Sequence, residues 1–116
     1  MEPERRNQPR VFLRVEAEVQ LSNADGWVRA YTINLSTGGM SLELPGPVAD
    51  GAALRARLHI SEGAPIELAG VVRHTTAVAM TGPAAASRHY LVGVQFQDVG
   101  TEIRAQIERI LDDEQA

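Results

Sequence analysis

Apolar residues occupy every odd-numbered position from Val11 to Leu21, and all but one of the positions between them are polar. A period of two puts the apolar side chains on one face of an extended chain, whereas a helix would spread them around its circumference. This stretch is therefore predicted to be a β-strand with one face buried and the other in water. A strand of this length predicts that the beginning of the chain belongs to a β-sheet.

Five further segments with strand-forming patterns follow, each bounded by residues typical of turns. They lie at 27–33, 40–44, 53–60, 66–76 and 90–96. Six short strands with no helix between them make the chain mainly β and predict a small antiparallel barrel or sandwich. Closing the sheet would also remove the exposed edges that make an open sheet prone to aggregation. The Ala-rich segment at 77–88 has no clear pattern.

The end of the chain changes to a helical pattern. Its apolar residues recur at three- or four-residue spacing and form one stripe of a helix: Ile103, Ile107, Ile110 and Leu111. Thr101 is the predicted N-cap, and the acidic Glu102 suits the positive end of the helix dipole. We expect the stripe to cover an open end or a face of the barrel; docking of a partner protein is the alternative.

The charge of the chain narrows the class of ligand. The net charge is −4, which argues against a nucleic-acid polymer because domains that bind one usually carry a basic excess. All eleven basic residues are arginines, and four of them fall within the first fourteen positions. A small basic cluster on an acidic chain suits a compact anion better than a long polyanion.

Length and composition indicate one domain in a reducing compartment. The chain has 116 residues and no cysteine, so it has room for a single core and no disulfide or thiolate chemistry. No apolar run approaches the roughly 18 residues that span a bilayer, and the N-terminus lacks the apolar segment of a signal peptide. The sequence therefore predicts a cytoplasmic protein without membrane insertion.

Three arginines lie within six residues just before the first strand, in the sequence Arg5-Arg6-Asn-Gln-Pro-Arg10. Guanidinium groups stay charged, make paired hydrogen bonds to phosphates or to the O6 and N7 edge of guanine, and stack on bases. Pro9 restricts its own backbone and that of the preceding residue, which favours an extended conformation. Residues 1–9 are predicted to form a flexible arm. On its own, this segment fits a solvated basic tail as well.

A second polar segment, Asn34-Leu-Ser36-Thr-Gly38-Gly39, separates the second and third predicted strands. Asn34 and Ser36 carry groups that cap backbone atoms or bind a base edge or a phosphate. The paired glycines permit a positive φ and a close approach of a ligand to the main chain. On its own, this segment fits an ordinary polar turn as well.

Taken together, the two segments resemble the signature of the PilZ domain family. An arginine pair spaced four apart stands before the first strand, and Asn-x-Ser-x-x-Gly follows the second. The VVR run at 71–73, the last strand YLVGVQF and the terminal helix match the family pattern as well, so that the resemblance covers roughly residues 4–112. It implies a small six-stranded antiparallel β-barrel with a C-terminal α-helix at residues 10–113, preceded by the arm at 1–9 that carries the arginine motif.

PilZ domains with both motifs bind the bacterial second messenger cyclic di-GMP, so the resemblance implies this ligand and no other cofactor. It assigns the arginines to the phosphates and to guanine edges or faces, the amide and the hydroxyl to a guanine and nearby polar groups, and the glycine to the turn. The ligand-binding residues assigned in this way are Arg5, Arg6, Arg10, Asn34, Ser36 and Gly39. Many members have Asp at position 34, and Asn has only one oxygen for the guanine N–H groups, which predicts weaker binding.

The resemblance also implies a mode of action. The arm is predicted to be disordered without ligand and to wrap over the nucleotide when it binds, which would present a new surface to an unidentified effector protein. Control of motility, exopolysaccharide or adhesion is the output that the family implies. Whether the chain is a monomer or a homodimer is left open.

No group of residues in the sequence predicts catalysis or metal binding. There is no serine–histidine–carboxylate arrangement, and His59, His74 and His89 are separated by 15 residues each, without a tight ligand pair. Trp27 and Tyr31 point to the same side of the second strand, and packing in the core is favoured over a stacking platform for bases. We therefore predict a receptor, not an enzyme.

Two other functions are consistent with the same fold. One is a protein-interaction module that does not bind the nucleotide, against which the intact motif residues argue. The other is a barrel that binds RNA or single-stranded DNA, as barrels commonly do. The net charge and the 4% content of aromatic residues argue against it, because such proteins use several stacking rings.

Overall fold

A computed structural model describes residues 11–22, 25–60, 64–78 and 89–115. Within them the elements are β1 (Val11–Phe12), β2 (Glu16–Leu21), β3 (Val28–Leu35), β4 (Gly39–Leu44), β5 (Ala53–Leu58), β6 (Ile66–Val78), β7 (His89–Gln97) and α1 (Thr101–Gln115). The predicted arm at 1–9, with Arg5 and Arg6, lies outside the described residues, as do Arg10 and most of the Ala-rich segment.

Six of the strands form a closed antiparallel barrel. They follow the order β3-β2-β5-β6-β7-β4, and β4 pairs back with β3 to complete the ring. Every pairing between neighbours is antiparallel. The predicted six-stranded antiparallel barrel with a C-terminal helix is thus confirmed, and the sandwich is excluded.

The predicted long strand from Val11 to Leu21 is instead two strands, β1 and β2. Both pair with β3, β1 through Phe12 opposite Asn34 and β2 through Glu16 opposite Tyr31. β3 contains a bulge between Thr32 and Asn34, so its two halves cannot pair with one straight strand. The alternation of side chains does not reveal such a bulge, since it records which face is buried and not where pairing is interrupted.

The buried hydroxyl of Thr32 holds the chain between β1 and β2. Thr32 is completely buried, and its Oγ1 accepts a hydrogen bond from the Val15 amide at 2.9 Å. The same hydroxyl donates to the carbonyl oxygen of Leu13. The Leu13 amide in turn donates to the carbonyl of Ile33 at 3.1 Å. The connection between the two strands is therefore fixed to β3 on both sides of the bulge.

We expect Thr32→Val to lower the free energy of unfolding by about 1–3 kcal/mol, because it keeps the shape of the side chain but removes the hydrogen-bonding partner of the partly buried Val15 amide and Leu13 carbonyl. Urea denaturation measures this. Thr76→Val is the matched control, since Thr76 is exposed on β6, and its effect should stay within about 0.5 kcal/mol. Equal effects of the two substitutions would contradict the role of the Thr32 hydroxyl.

The core fills the barrel and continues under the helix. Its large, fully buried apolar side chains come from β2 to β7 and from α1: Val19, Leu35, Met40, Leu42, Leu58, Val72, Val92 and Ile107. Leu111 is also buried, and Ile103 and Ile110 pack against the cluster. The apolar stripe of the helix therefore packs on the barrel, as predicted.

The helix begins one residue earlier than its predicted cap implies. The Arg104 amide donates to the carbonyl of Gly100 at 2.9 Å, which makes Gly100 the N-cap and Thr101 the first helical residue. The prediction of Thr101 as the N-cap was wrong. A short polar residue before a helix is a weak signal for the cap when a glycine precedes it.

The two aromatic residues predicted for the core lie on the outer surface. Trp27 and Tyr31 are only half-buried, and each ring is covered by a guanidinium group. Arg57 lies 3.9 Å from the centroid of Trp27, and Arg14 lies 4.6 Å from that of Tyr31. The prediction of core packing was wrong, because cation–π contacts on the outer face satisfy these rings without burial in the barrel.

Within the described ranges, no helix is both long and apolar enough to cross a lipid bilayer.

Candidate functional site

The segment at 34–39 forms a tight hairpin turn between β3 and β4. The Ser36 amide donates to the carbonyl of Gly39 at 2.9 Å, so that Thr37 and Gly38 stand at the tip. The turn is also held against β7, since the Phe96 amide donates to the carbonyl of Gly38 at 2.9 Å. These bonds fix the shape of the turn and its position relative to a third strand of the barrel, β7.

The hydroxyl of Ser36 makes its hydrogen bonds inside this turn. Ser36 is 2% exposed, and its Oγ accepts from the amides of Gly38 and Gly39 at 3.2 and 3.1 Å. It donates to the carbonyl of Gly39 at 3.2 Å. The direct contact with a ligand remains a prediction, and the geometry adds a second role, in which Ser36 sets the shape of the turn.

Gly39 is required by a close approach between strands. A Cβ at this position would overlap the carbonyl oxygen of Val94 on β7. Its φ lies outside the left-handed region, so the freedom to adopt a positive φ is not what selects glycine here. The absence of a side chain lets β4 and β7 come together beside the turn.

The pairing of β1 brings the beginning of the described chain to this turn. Val11 lies opposite Leu35, and Phe12 lies opposite Asn34. Val11, the residue that follows the arginine motif in the sequence, therefore lies beside the residues that open the polar turn.

A row of directly opposed residues crosses the outer surface from this place. Phe12 on β1 is opposite Asn34 on β3, followed by Ser41 on β4, Gly93 on β7 and His74 on β6. Phe12 is 84% exposed. The imidazole of His74 lies over Gly93, where a Cβ would overlap the ring. Opposed residues in an antiparallel sheet share a face, so this row forms a continuous outer strip.

A cleft of about 540 Å³ lies over the turn at 36–39 and over the part of this strip that contains Ser41, Gly93 and His74, whereas Asn34 does not line it. Its charged and ring-bearing lining residues are Arg73, His74, Phe96, Asp98 and Arg104. The cleft thus contains two guanidinium groups and one carboxylate, and this excess of positive charge favours binding of an anion. The volume falls within the range of roughly 300–1,000 Å³ that is typical of small-molecule sites.

The sequence analysis missed Arg73, His74 and Arg104 as residues of the site. Arg73 lies at a second bulge, where the register of β6 against β7 shifts between Val72 and His74; bulges redirect side chains beside functional sites. The VVR run was matched to the family pattern without a ligand-binding role for Arg73, and only the apolar stripe of the helix was considered. The available signal for a charged site was the arginine that accompanies each pattern, Arg73 in the VVR run and Arg104 in the helix.

The three histidines lie in separate surroundings. His59 is 3.2 Å from a carboxylate oxygen of Glu18, and His89 is hydrogen-bonded to Glu43. His74 lies in the cleft. In the part of the chain that the structure describes, no group of three or more potential metal ligands comes together.

Glu43 ties the segment between β1 and β2 to the barrel. Its carboxylate accepts a hydrogen bond from Arg14 at 2.8 Å and contacts His89. The guanidinium group of Arg14 lowers the pKa of Glu43 below its ordinary value of 4.5, with a smaller contribution from His89 and an opposing one from partial burial. The ionised form of Glu43 is therefore favoured in the folded state.

We expect Glu43→Gln to lower stability by about 0.5–1 kcal/mol at pH 7. Because the folded pKa is lowered, the contribution of the carboxylate is present above the unfolded value and is lost as pH falls through the folded one. The difference between the two proteins should therefore be present at pH 7 and disappear at an acid pH that lies below the folded pKa. Thermal unfolding at both pH values measures this, and a difference that persists at the acidic pH would contradict the role of the charge.

The fold is similar to three solved structures of bacterial proteins. The PilZ domain of YcgR from Escherichia coli with c-di-GMP has a TM-score of 0.79 at 15% identity, over 97% of this chain and 92% of that one. MrkH from K. pneumonia, in a complex with c-di-GMP, has a TM-score of 0.74 at 20% identity, over 95% and 52%. The Bacillus subtilis inhibitor of motility MotI has a TM-score of 0.73 at 19% identity, over 97% and 51%. This chain spans about half the length of MrkH and MotI.

At these identities the likeness is one of fold, and no curated protein matches the sequence significantly. The family model for the PilZ domain matches residues 4–113, which include both polar motifs, the six barrel strands and nearly all of α1. The chain belongs to the PilZ domain family.

Proposed function

We propose that this chain is a non-catalytic receptor for cyclic di-GMP, in which the arginine arm and the turn at 34–39 both bind the nucleotide. The observation that carries the proposal is the pairing of β1 with the end of β3. This pairing brings Val11, which follows the arginine motif in the sequence, beside the start of the turn that lines a cleft.

The chemistry of the ligand matches the groups on the protein. Cyclic di-GMP has two phosphates and two guanines. Arg6 and Arg10 are proposed to bind a phosphate and a guanine edge or face, as guanidinium groups do, with Arg5 as an additional contact. Asn34 and Ser36 are proposed to recognise guanine and nearby polar groups. Gly39, which has no side chain, is proposed to leave room for the ligand beside the backbone of the turn.

The energetics require several of these contacts at once. Fixing a flexible backbone costs roughly 1–2 kcal/mol per residue, whereas each charge-assisted hydrogen bond contributes about 1.5–3 kcal/mol. Micromolar affinity corresponds to about −8 kcal/mol. Binding therefore depends on cooperation between the arm and the preformed turn, and neither is sufficient alone.

The proposed output is a change of surface. An arm that closes over the ligand neutralises its own charge and presents a new surface to an effector protein. Family membership supports an output in motility, exopolysaccharide or adhesion, and a cytoplasmic location where the nucleotide is made and read.

Calorimetric titration with cyclic di-GMP tests the proposal, with GMP as the control ligand. Saturable binding of cyclic di-GMP and no binding of GMP are expected, and the stoichiometry distinguishes one nucleotide from two. No heat and no shift in melting temperature at ligand concentrations near a millimolar would overturn the proposal and leave a protein-interaction module as the alternative.

A further inference from the structure

Arg104 connects the cleft to the helix that follows the barrel. It lies one turn into α1 and lines the cleft together with Asp98 and Val99, which link β7 to the helix. Asp98 has a positive φ of 53°, an uncommon backbone conformation for a residue other than glycine. The chain therefore turns sharply at the wall of the cleft, and the first basic side chain of the helix is at this wall.

The helix itself is firmly attached. Ile107 is completely buried and Leu111 is 5% exposed. Arg104 lies beside this apolar stripe, and its side chain remains 52% exposed. A change in the contacts of Arg104 therefore acts on an element that is packed on the core and not on a free end of the chain.

Arg104 is engaged by an acidic residue of its own helix. Its Nε lies 3.6 Å from a carboxylate oxygen of Glu108, at i,i+4 spacing. Such exposed pairs stabilise a helix by only about 0.2–0.5 kcal/mol. A phosphate in the cleft offers shorter and stronger bonds to the same guanidinium group, so exchange of partners favours the ligand.

We propose that Arg104 is an additional contact for cyclic di-GMP, which exchanges Glu108 for a phosphate of the nucleotide and so transmits occupation of the cleft to α1. This inference rests on the proposed function. It adds a basic group from α1 to the one that Arg73 on β6 supplies to the cleft. It also assigns Glu108 an opposing role, as a competitor for the same guanidinium group.

Calorimetric titration of two single variants tests the inference. Arg104→Gln should weaken the affinity about tenfold, which corresponds to about 1.4 kcal/mol. Glu108→Gln should strengthen it roughly twofold, because the ion pair no longer has to be broken. Both variants lose the same ion pair, so a purely structural role of the pair predicts changes in the same direction.

The controls keep charge and position matched. Arg109→Gln removes the same charge from the same helix at a residue that lines a different depression, with Gln106 and Asp113, and should leave the affinity unchanged. Glu102→Gln removes an acidic charge from α1 and measures any long-range effect, which is weak beyond the Debye length of about 8 Å at physiological salt.

Amide hydrogen exchange across α1 supplies an independent readout. Ligand should slow exchange in the helix of the native protein, and this protection should be lost in Arg104→Gln. Binding by the native protein with unchanged affinity in Arg104→Gln, or with parallel changes in both variants, would overturn the inference and leave the proposed function standing. Absence of binding by the native protein would overturn both.

Discussion

Replacing both Arg6 and Arg10 by alanine is expected to weaken binding of cyclic di-GMP by roughly two to four orders of magnitude. Each guanidinium group is proposed to make charge-assisted hydrogen bonds worth about 1.5–3 kcal/mol, and their loss together removes most of the binding free energy. Calorimetric titration at fixed ionic strength measures the change. The melting temperature without ligand should stay the same, because both residues precede the first strand.

A double variant of Arg29 and Arg55 to alanine is the matched control. Both arginines are exposed on strands of the barrel and form ion pairs there, with Glu16 and Glu67 respectively. Their removal changes the net charge by the same amount but leaves the cleft intact, so the affinity should change less than about threefold. Similar losses in the two double variants would mean that net charge, and not the motif, determines binding.

Gly39→Ala is expected to lower the free energy of unfolding by about 2–4 kcal/mol, which is large for the addition of one methyl group. The new Cβ would overlap the carbonyl oxygen of Val94, and a backbone atom in a paired strand has little freedom to move away. The strands β4 and β7 would have to separate beside the turn. Urea denaturation gives the stability, and titration of the folded protein should show weaker binding.

Gly46→Ala supplies the comparison, since a Cβ at Gly46 meets no atom within 4 Å. Its effect should stay within about 0.5 kcal/mol or be slightly stabilising, because alanine restricts the unfolded chain. If Gly39→Ala were as well tolerated as Gly46→Ala, the close approach of β4 to β7 would not be what requires a glycine in the motif.

Much of the fold could be predicted from side-chain alternation, because burial of one face is recorded directly in the sequence. The six barrel strands and the helical stripe with Ile107 lie where the pattern indicates. The break between β1 and β2 was not predictable in this way. It depends on a bulge in β3 and on the hydroxyl of Thr32. A single buried threonine does not change the alternation of apolar and polar residues, so the sequence pattern does not reveal it.

The candidate site was predictable only in part, for a related reason. Asn34, Ser36 and Gly39 were found because they stand close together in the sequence. Arg73 and Arg104 come from distant elements and meet at the cleft only through the register of β6 and the packing of α1. The role of Ser36 inside the turn likewise depends on hydrogen bonds that a motif does not specify.

The ring of paired strands closes through β3 and β4 and does not include β1. The arginine contacts proposed for the ligand thus lie outside the strands that close the scaffold. Substitutions in residues 1–10 are therefore expected to change ligand binding with little effect on folding. In evolutionary terms, such a domain could lose its ligand or acquire another anionic one while the same barrel is kept.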